Sequence, residues 1–443
     1  MALNSVELLY SKSLVYNKVS ITFHVKVPRT YIINYSCDGK SNVNYQNLNL
    51  DITKYFLRKL ANGVTFNKLY AWQQLDFNFP NETIRKTYVE SGNYIEKNNL
   101  PLGLAISQDR MIITVPRWRN GVVANLNYVW MNDTKSPSLN PYPDFETNDI
   151  HLPDSIVNIF RVRVDECNRL WAVDTGISDI YGNTTILQPV RIIVIDLKTD
   201  KIIRKYTLKD SDQKHNSFIA DLVIDVKPDA CQDAYAYLSD FSAYGLIVYS
   251  WAKNNSWRIE HNYFYFDPLQ GDYNISGYNF QWTDGIFGLA LTPYQDDGYR
   301  TLYFHAMSGI TEFYVSTEVL QDDTLILSNN YHAFHVAGDK GPKSQGPSSV
   351  IDQETEIAYF TQIQKNGIGC WDTNVKLTPE TFILVDQNNE TMIYPNDLAI
   401  DYDSRKLYVL SNNLPKFEHS DLSKKENNYF ITVASLDSLA KHC

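Results

Sequence analysis

Acidic, amide and hydroxyl side chains stand at matching points of a repeated apolar pattern in this sequence. Asp221 and Ser348 open such runs, Asp284 and Asn396 come just before others, and the aromatic Phe241 follows a fifth. Carboxylates supply counter-charge and aromatic faces attract cations, so together they suit an organic cation or a catecholic ring. These five residues are our candidate ligand-binding residues. The alternative for each aspartate is that it only caps a turn or bonds to neighbouring backbone.

The sequence lacks the motifs of several common catalytic and metal-binding sites. The sequence has no HExxH and no close His/Cys ligand spacing, which argues against zinc catalysis. It also has no GxSxG elbow and no glycine-rich phosphate loop followed by Lys-Ser/Thr. Asp221, Asp284 and Asn396 could offer oxygen ligands to calcium, but no glutamate stands at a corresponding position. We therefore expect neither a metal nor a cofactor.

The elements that must position these residues are β-hairpins. Six segments share alternating apolar residues, a turn rich in Asp, Asn or Gly, and a second β-rich run, which is typical of a hairpin. They recur at a spacing of about 60 residues, as internal repeats do, and comprise residues 103–116, 161–174, 221–240, 288–307, 348–363 and 397–412. Further strand pairs, such as those within 190–208 and 245–261, supply the outer half of each unit.

Six units of four strands predict an all-β fold, a closed six-bladed β-propeller with a central channel. The first strand of each hairpin would lie innermost, so the residues that open it would converge on the channel mouth. Residues 68–79 and 428–436 could pair to close the ring. The propeller would occupy residues 66–443, and residues 1–65 would be an atypical N-terminal extension, either disordered or a mis-assigned start. A solenoid or two stacked sandwiches is the structural alternative.

Charge and hydropathy restrict the partners. The 443 residues carry a formal net charge of -11, and no dense Lys/Arg run is present, which argues against a nucleic-acid partner. No stretch approaches the roughly 20 apolar residues that a membrane-spanning helix needs. An acidic protein favours a cationic small molecule instead.

The compartment is indicated by glycosylation sequons and cysteines. Asn-X-Ser/Thr sequons that suit outward-pointing glycans occur at Asn34, Asn81, Asn132, Asn183, Asn254, Asn274 and Asn389. The five cysteines fit two disulfides with one left over, although scattered buried thiols would fit as well. The first 30 residues lack the unbroken apolar region of a signal peptide. We expect a secreted, extracellular glycoprotein in which a signal peptide is not evident.

A series of phrases resembles the yellow and major royal jelly protein family of insects. They include AWQQLDFNFP (71–80), VPRWRNGVVANLNYV (115–129), VDECNRLWAVDTG (164–176), DGIFGLALTP (284–293) and GCWD (369–372). The phrases follow the family's order over residues 68–443. The resemblance implies disulfides between Cys167 and Cys231 and between Cys370 and Cys443, and it leaves Cys37 without a partner.

The resemblance also implies alternative functions. Some members are similar to enzymes that convert dopachrome during melanin formation, some bind biogenic amines without chemistry, and others are nutritive or signalling proteins. A tautomerase needs a positioned acid or base, for which Asp284 or Asp221 are candidates, whereas a carrier needs only a counter-ion and ring contacts. We expect a small catechol or biogenic amine as the ligand, with a role in pigmentation or cuticle tanning.

Overall fold

The structure is a computed structural model that describes the backbone of residues 7–15, 18–26, 30–38, 65–324 and 331–443. Side chains are described for residues 65–324 and 331–443. The chain divides into two compact units, Met1–Gly63 and Val64–Cys443. Within the first unit, an antiparallel sheet is formed by Glu7–Val15, Lys18–Lys26 and Thr30–Asp38. The side chains of Cys37 and Asn34 lie outside the described residues, and the origin of residues 1–65 stays a prediction.

The second unit forms six antiparallel sheets of four strands each, which confirms the predicted six-bladed β-propeller. From the channel outward, the strands of blade 1 are Leu104–Ser107, Arg110–Thr114, Leu126–Trp130 and Asn140–Pro141. Those of blade 2 are Ile159–Val164, Arg169–Asp174, Arg191–Asp196 and Lys201–Thr207. Those of blade 3 are Ile219–Asp225, Tyr235–Asp240, Gly245–Ser250 and Asn255–Glu260. Those of blade 4 are Ile286–Leu291, Thr301–Ala306, Thr311–Ser316 and His335–Asp339. Those of blade 5 are Ser349–Ile351, Ile357–Gln362, Gly367–Asp372 and Ile383–Gln387. Those of blade 6 are Pro395–Asp401, Lys406–Ser411, Tyr429–Ser435 and Asn67–Trp72.

Blade 6 joins the two ends of the propeller. Its outermost strand, Asn67–Trp72, comes from the start of the unit and pairs antiparallel with Tyr429–Ser435 from its end. The predicted seam between residues 68–79 and 428–436 is therefore confirmed. Because this strand completes a sheet begun about 320 residues later, ring closure depends on contacts between the ends of the unit.

Burial of the inner strands explains why their sequences are so apolar. Every residue of Ile286–Leu291 and of Arg169–Asp174 is buried, because each inner sheet packs between two neighbouring blades. The outermost strand of blade 2, Lys201–Thr207, alternates exposed and half-buried residues instead. The tight turns use left-handed residues suited to them, such as Asn168 with φ 58° and Asn366 with φ 49°.

Helices and short ribbons occupy the connections. The α-helices in the described residues are Glu82–Ser91, Thr317–Gln321, Leu414–His419 and Leu436–Ala440. The 3-10 helices are Glu96–Asn98, Glu146–Asn148, Asp210–Asp212, Cys231–Asp233, Asn262–Phe264 and Tyr331–Ala333. The ribbons pair Ile177–Ser178 with Thr185–Ile186, and Asp272–Ile275 with Tyr278–Gln281. None of the helices in the described part is long and apolar enough to cross a membrane.

The helix Glu82–Ser91 is a feature that apolar periodicity does not predict. None of its residues is fully buried, and only Ile84 and Tyr88 form a short half-buried apolar side, with Tyr88 packed against the core. Its caps define it instead: the Asn81 side chain accepts a hydrogen bond from the Ile84 amide, and Gly92 ends it with φ 78°.

Two disulfides cross-link the propeller, as the resemblance implied. Cys167–Cys231 joins the first turns of blades 2 and 3, and Cys370–Cys443 ties the chain's last residue to the third strand of blade 5. Disulfides fit an extracellular protein, because oxidising compartments preserve them.

Replacing both Cys370 and Cys443 by serine is expected to lower the free energy of unfolding by about 2–4 kcal/mol. The bond joins residues 73 positions apart, so its loss releases a long loop in the unfolded chain. Chemical denaturation with and without reductant measures the effect, and the Cys167→Ser, Cys231→Ser variant is the matched comparison. A loss below about 0.5 kcal/mol would contradict a stabilising role for this bond.

Candidate functional site

Aromatic side chains surround the end of the channel at which the innermost strands begin, here called the mouth. Their ring centroids form a continuous series: Trp118 to Phe160 at 5.1 Å, Phe160 to Phe218 at 4.8 Å, Phe218 to Phe241 at 5.6 Å and Phe241 to Phe287 at 5.1 Å. These tilted and edge-on arrangements are favourable for aromatic pairs. Phe218 and Phe241 are only half-buried, so part of each residue is exposed at the mouth.

Asp284 and Phe241 come together at this mouth. Asp284 lies just before the innermost strand of blade 4, and its carbonyl accepts a hydrogen bond from the Ser308 amide at 3.0 Å. The next amide, that of Gly285, donates to the Phe241 carbonyl at 3.0 Å. A Cβ on Gly285 would lie 2.3 Å from the Tyr244 ring, so glycine is required for this close approach. Two of the five residues selected from the sequence thus lie side by side.

The Asp284 carboxyl has an unusual environment. Among the described residues, no side chain or amide forms a hydrogen bond with it, although it is only partly exposed. Burial, and to a lesser extent the nearby charge of Glu418, raises the pKa of Asp284 to about 7. This carboxyl therefore changes its charge near neutral pH and is free to bond to a ligand.

Glu418 supplies a second carboxyl to the mouth. It lies on the helix Leu414–His419, an insertion between the second and third strands of blade 6, and its side chain is 12% exposed. Burial raises the pKa of Glu418, while a hydrogen bond from the Tyr181 hydroxyl acts in the opposite direction. Two carboxyls and several aromatic rings thus share one end of the channel.

A ribbon covers part of the mouth. The Tyr278 hydroxyl of the Asp272–Ile275 and Tyr278–Gln281 ribbon lies 2.7 Å from the Ser420 hydroxyl, next to the Glu418 helix. Trp282, which follows the ribbon, meets Tyr394 edge-on at 6.1 Å. Connections of blades 3 and 6 therefore come together above the starts of the innermost strands.

Asp221 lies deeper, in a buried ion network. Arg161 donates to Asp221 at 3.1 Å, and Arg163 contacts both Asp221 at 2.8 Å and Asp397 at 3.2 Å. The side chains of Arg161, Asp221 and Asp397 are at most 1% exposed. Burial alone would raise the pKa of Asp397, but the charges of Arg163 and Arg161 outweigh it and lower that pKa below its ordinary value.

Ser348 and Asn396 belong to the same buried layer. The Ser348 hydroxyl donates to Asp397 at 2.9 Å, and the Asn396 side chain donates to the Leu102 carbonyl at 2.7 Å. The Asn396 carbonyl also accepts a hydrogen bond from Arg161. Asp221, Ser348 and Asn396 are thus placed together, but their polar groups have protein partners and join the blades. Their assignment as ligand contacts stays a prediction. The bonds observed in the structure are those of the alternative, in which such residues bond to neighbouring parts of the protein.

Arg161 of the buried ion network also contacts an aromatic side chain of the mouth. Its guanidinium lies 5.1 Å from the centre of the Phe287 ring, which closes the aromatic series. At the opposite end of the channel, a cavity of about 420 Å³ is lined by the innermost strands together with Arg163, Glu166 and Arg300. The ion network therefore separates an acidic aromatic mouth from a mixed-charge chamber.

Within the ranges for which side chains are described, no three His, Cys, Asp or Glu residues are grouped so as to hold a metal ion. The chemistry available at the mouth is that of carboxyl groups and aromatic rings. These groups can pair with a cation, contact a flat ring, and exchange a proton near neutral pH.

Several mouth residues lie outside the repeat that guided the selection from the sequence. Glu418, Tyr181 and Tyr278 belong to insertions in blades 6, 2 and 3, so matching positions in the hairpins do not identify them. The signal that could have found them is length: residues 412–428, between two paired strands, exceed a tight turn.

The fold and the two disulfides define the class of protein: a disulfide-linked six-bladed propeller, here with carboxyl groups and aromatic rings at one end of its channel. The family model described as Major royal jelly protein matches residues 157–443. The chain is 42% identical over 378 residues to "Protein yellow" of Drosophila melanogaster, which covers 84% of this chain and 69% of that protein. The same protein of Drosophila erecta matches with the same identity and coverage. The chain therefore belongs to the yellow and major royal jelly protein family, as the resemblance indicated.

Proposed function

We propose that this protein binds a small aromatic cation of the catechol or indole amine type at the mouth of its propeller, in the service of melanin pigmentation or cuticle tanning. The observation that carries the proposal is the Asp284 carboxyl, which has no hydrogen-bond partner among the described residues and stands beside Phe241. An ammonium group would supply the missing partner, and its ring would lie against the accessible aromatic faces.

A catalytic form of this function is favoured by one further observation. The pKa of Asp284, raised to about 7, suits a group that both accepts and donates a proton near neutral pH. Tautomerisation of dopachrome to a dihydroxyindole carboxylic acid moves a proton within the ligand, keeps its carboxylate, and needs such a group. Asp284 would act as that acid and base, and the ion network containing Asp221 would support the mouth from below.

Titration of the purified protein with serotonin, dopamine and dopachrome tests the proposal. Calorimetry measures binding, and the dopachrome absorbance measures turnover in the same preparation. Saturable amine binding supports the ligand class, and decay faster than with an unrelated glycoprotein supports catalysis. Binding without acceleration would leave an amine carrier, whereas the absence of both responses would refute the proposed ligand class.

Secretion is part of the same proposal. Asn81, Asn132, Asn183, Asn254, Asn274 and Asn389 are exposed, which an attached glycan requires. We expect the protein made by a secreting eukaryotic cell to lose mass on enzymatic removal of N-glycans, with the modified sites among these six. Unmodified peptides at all six positions would contradict this expectation.

A further inference from the structure

Most arginines in the described ranges have a carboxylate close enough to balance their charge. An Asp or Glu oxygen lies within 4.0 Å of Arg85, Arg110, Arg161, Arg163, Arg169, Arg191, Arg258, Arg300 and Arg405. In the same part of the chain, Arg117, Arg119 and Arg204 have no such ion pair. A buried charge without a counter-charge is costly, so the first two of these, from the PRWRNG segment, are notable in an acidic protein.

Arg117 and Arg119 line one cavity, here called the arginine cavity. Its volume is about 260 Å³, and its wall also contains Asn93, Asp149 and His151. The cavity lies beside the mouth, because Trp118, between the two arginines in sequence, is part of the mouth's aromatic series. Its chemistry differs from that of the mouth, since two arginines and one aspartate line it.

Arg117 is fixed by backbone carbonyls. Its side chain donates to the carbonyls of Val157 at 2.8 Å, Ile156 at 3.1 Å, Asn148 at 2.6 Å and Val123 at 3.2 Å. The residue is 3% exposed, and its Nε has no hydrogen-bond partner in the structure. Carbonyl oxygens hold the guanidinium but carry no formal charge, so its positive charge lacks a direct counter-ion.

Burial lowers the pKa of Arg117 to about 10, so the group remains charged at neutral pH. Asp174 and Asp149 act on this charge only from beyond ion-pair distance. The Asp149 carboxylate is already engaged, since it accepts a hydrogen bond from the His151 amide at 3.0 Å. The charge on Arg117 is therefore only partly balanced by the protein.

Arg119 has hydrogen-bond donors that no described residue accepts from. One terminal nitrogen donates to the Phe417 carbonyl at 2.7 Å, and the guanidinium stacks 4.2 Å from the Phe417 ring centre. The other terminal nitrogen and Nε form no hydrogen bond with any described residue. On the cavity wall, His151 lies 3.2 Å from the Asn93 side chain and can offer a further polar contact.

We propose that the arginine cavity binds a small oxyanion, a carboxylate or a phosphate, whose charge balances Arg117 and Arg119. The unpartnered donors of Arg119 would bond to the anion, since a guanidinium matches the geometry of both anions. Arg117 would contribute its charge alone, because its terminal nitrogens bond to carbonyls and its Nε is inaccessible. The site would recognise the charge opposite to that of the amine at the neighbouring mouth, where the charge of Arg119 also acts on Glu418.

Calorimetric titration of the full chain with sodium phosphate and with sodium acetate, at constant ionic strength in chloride buffer, tests the site. We expect saturable binding of at least one anion, and the anion that binds distinguishes a phosphate ligand from a carboxylate ligand. Arg119→Gln is expected to weaken binding at least about tenfold, since a charged hydrogen bond is lost.

Arg204→Gln is the matched control, because Arg204 also lacks an ion pair but stacks on Trp251 at 3.9 Å, away from the cavity wall. His151→Gln provides a second cavity variant and is expected to weaken binding less than Arg119→Gln. The proposal is overturned if neither anion binds saturably, or if Arg119→Gln and Arg204→Gln bind the anion as tightly as the unaltered protein. Amine binding at the mouth is measured separately, so failure of one site does not imply failure of the other.

Discussion

Replacing Asp397 by alanine is expected to lower the free energy of unfolding by about 3–5 kcal/mol. The substitution leaves the buried charges of Arg161 and Arg163 without half of their counter-charge. It also removes the acceptor of the Ser348 hydroxyl and of the Leu104 amide, so blades 1, 5 and 6 lose a shared contact. Chemical denaturation followed by circular dichroism measures the loss.

Asp403→Ala is the control for this prediction, because Asp403 is an exposed turn residue of the same blade. It should change the free energy of unfolding by at most about 0.5 kcal/mol. If Asp397→Ala fails to accumulate, Asp397→Asn provides the measurement, since it removes the charge but keeps an acceptor oxygen. Equal stability of the Asp397 and Asp403 variants would contradict a structural role for the ion network.

Replacing Asp284 by asparagine is expected to weaken binding of a cationic amine at least about tenfold, as the loss of a charged hydrogen bond would. The same change should remove most of the pH dependence of binding. Because the pKa of Asp284 is about 7, protonation neutralises the carboxyl as the pH falls from about 8 to 6, and amine affinity of the unaltered protein should fall with it. The amine itself keeps its charge over this range.

Asp296→Asn controls for overall charge, since Asp296 is an exposed carboxylate at the other end of the same innermost strand. Calorimetry at several pH values compares the two variants. Affinities that match in Asp284→Asn and in the unaltered protein would exclude Asp284 from the site.

The architecture could be predicted from the sequence because it repeats. Each blade needs an inner hairpin buried on both faces, and this requirement imposes a similar run of apolar residues, bounded by turn residues, six times. Asp221, Ser348 and Asn396 were selected for that reason: each lies at or near the start of an innermost strand, although the residue that aligns with Asp221 is Asp397, one position after Asn396. The disulfide pairs followed from the resemblance, since five cysteines alone allow several pairings.

The contacts that each individual carboxyl group makes could not be predicted in the same way. Asp221 and Asp284 are both aspartates near the start of an innermost strand, but Asp221 contacts two arginines, whereas the Asp284 carboxyl has no hydrogen-bond partner among the described residues. The difference depends on Arg161 and Arg163, which come from another blade, and on Glu418, which comes from an insertion. Such contacts join residues far apart in the chain, so local pattern does not specify them.

A crystal structure of the protein with serotonin bound tests the central claim most directly. The proposed function predicts the ligand at the mouth, with its ammonium about 3 Å from the Asp284 carboxylate and its ring against Phe241 or a neighbouring aromatic face. Serotonin bound only in the chamber at the opposite end of the channel, or absent at saturating concentration, would contradict it.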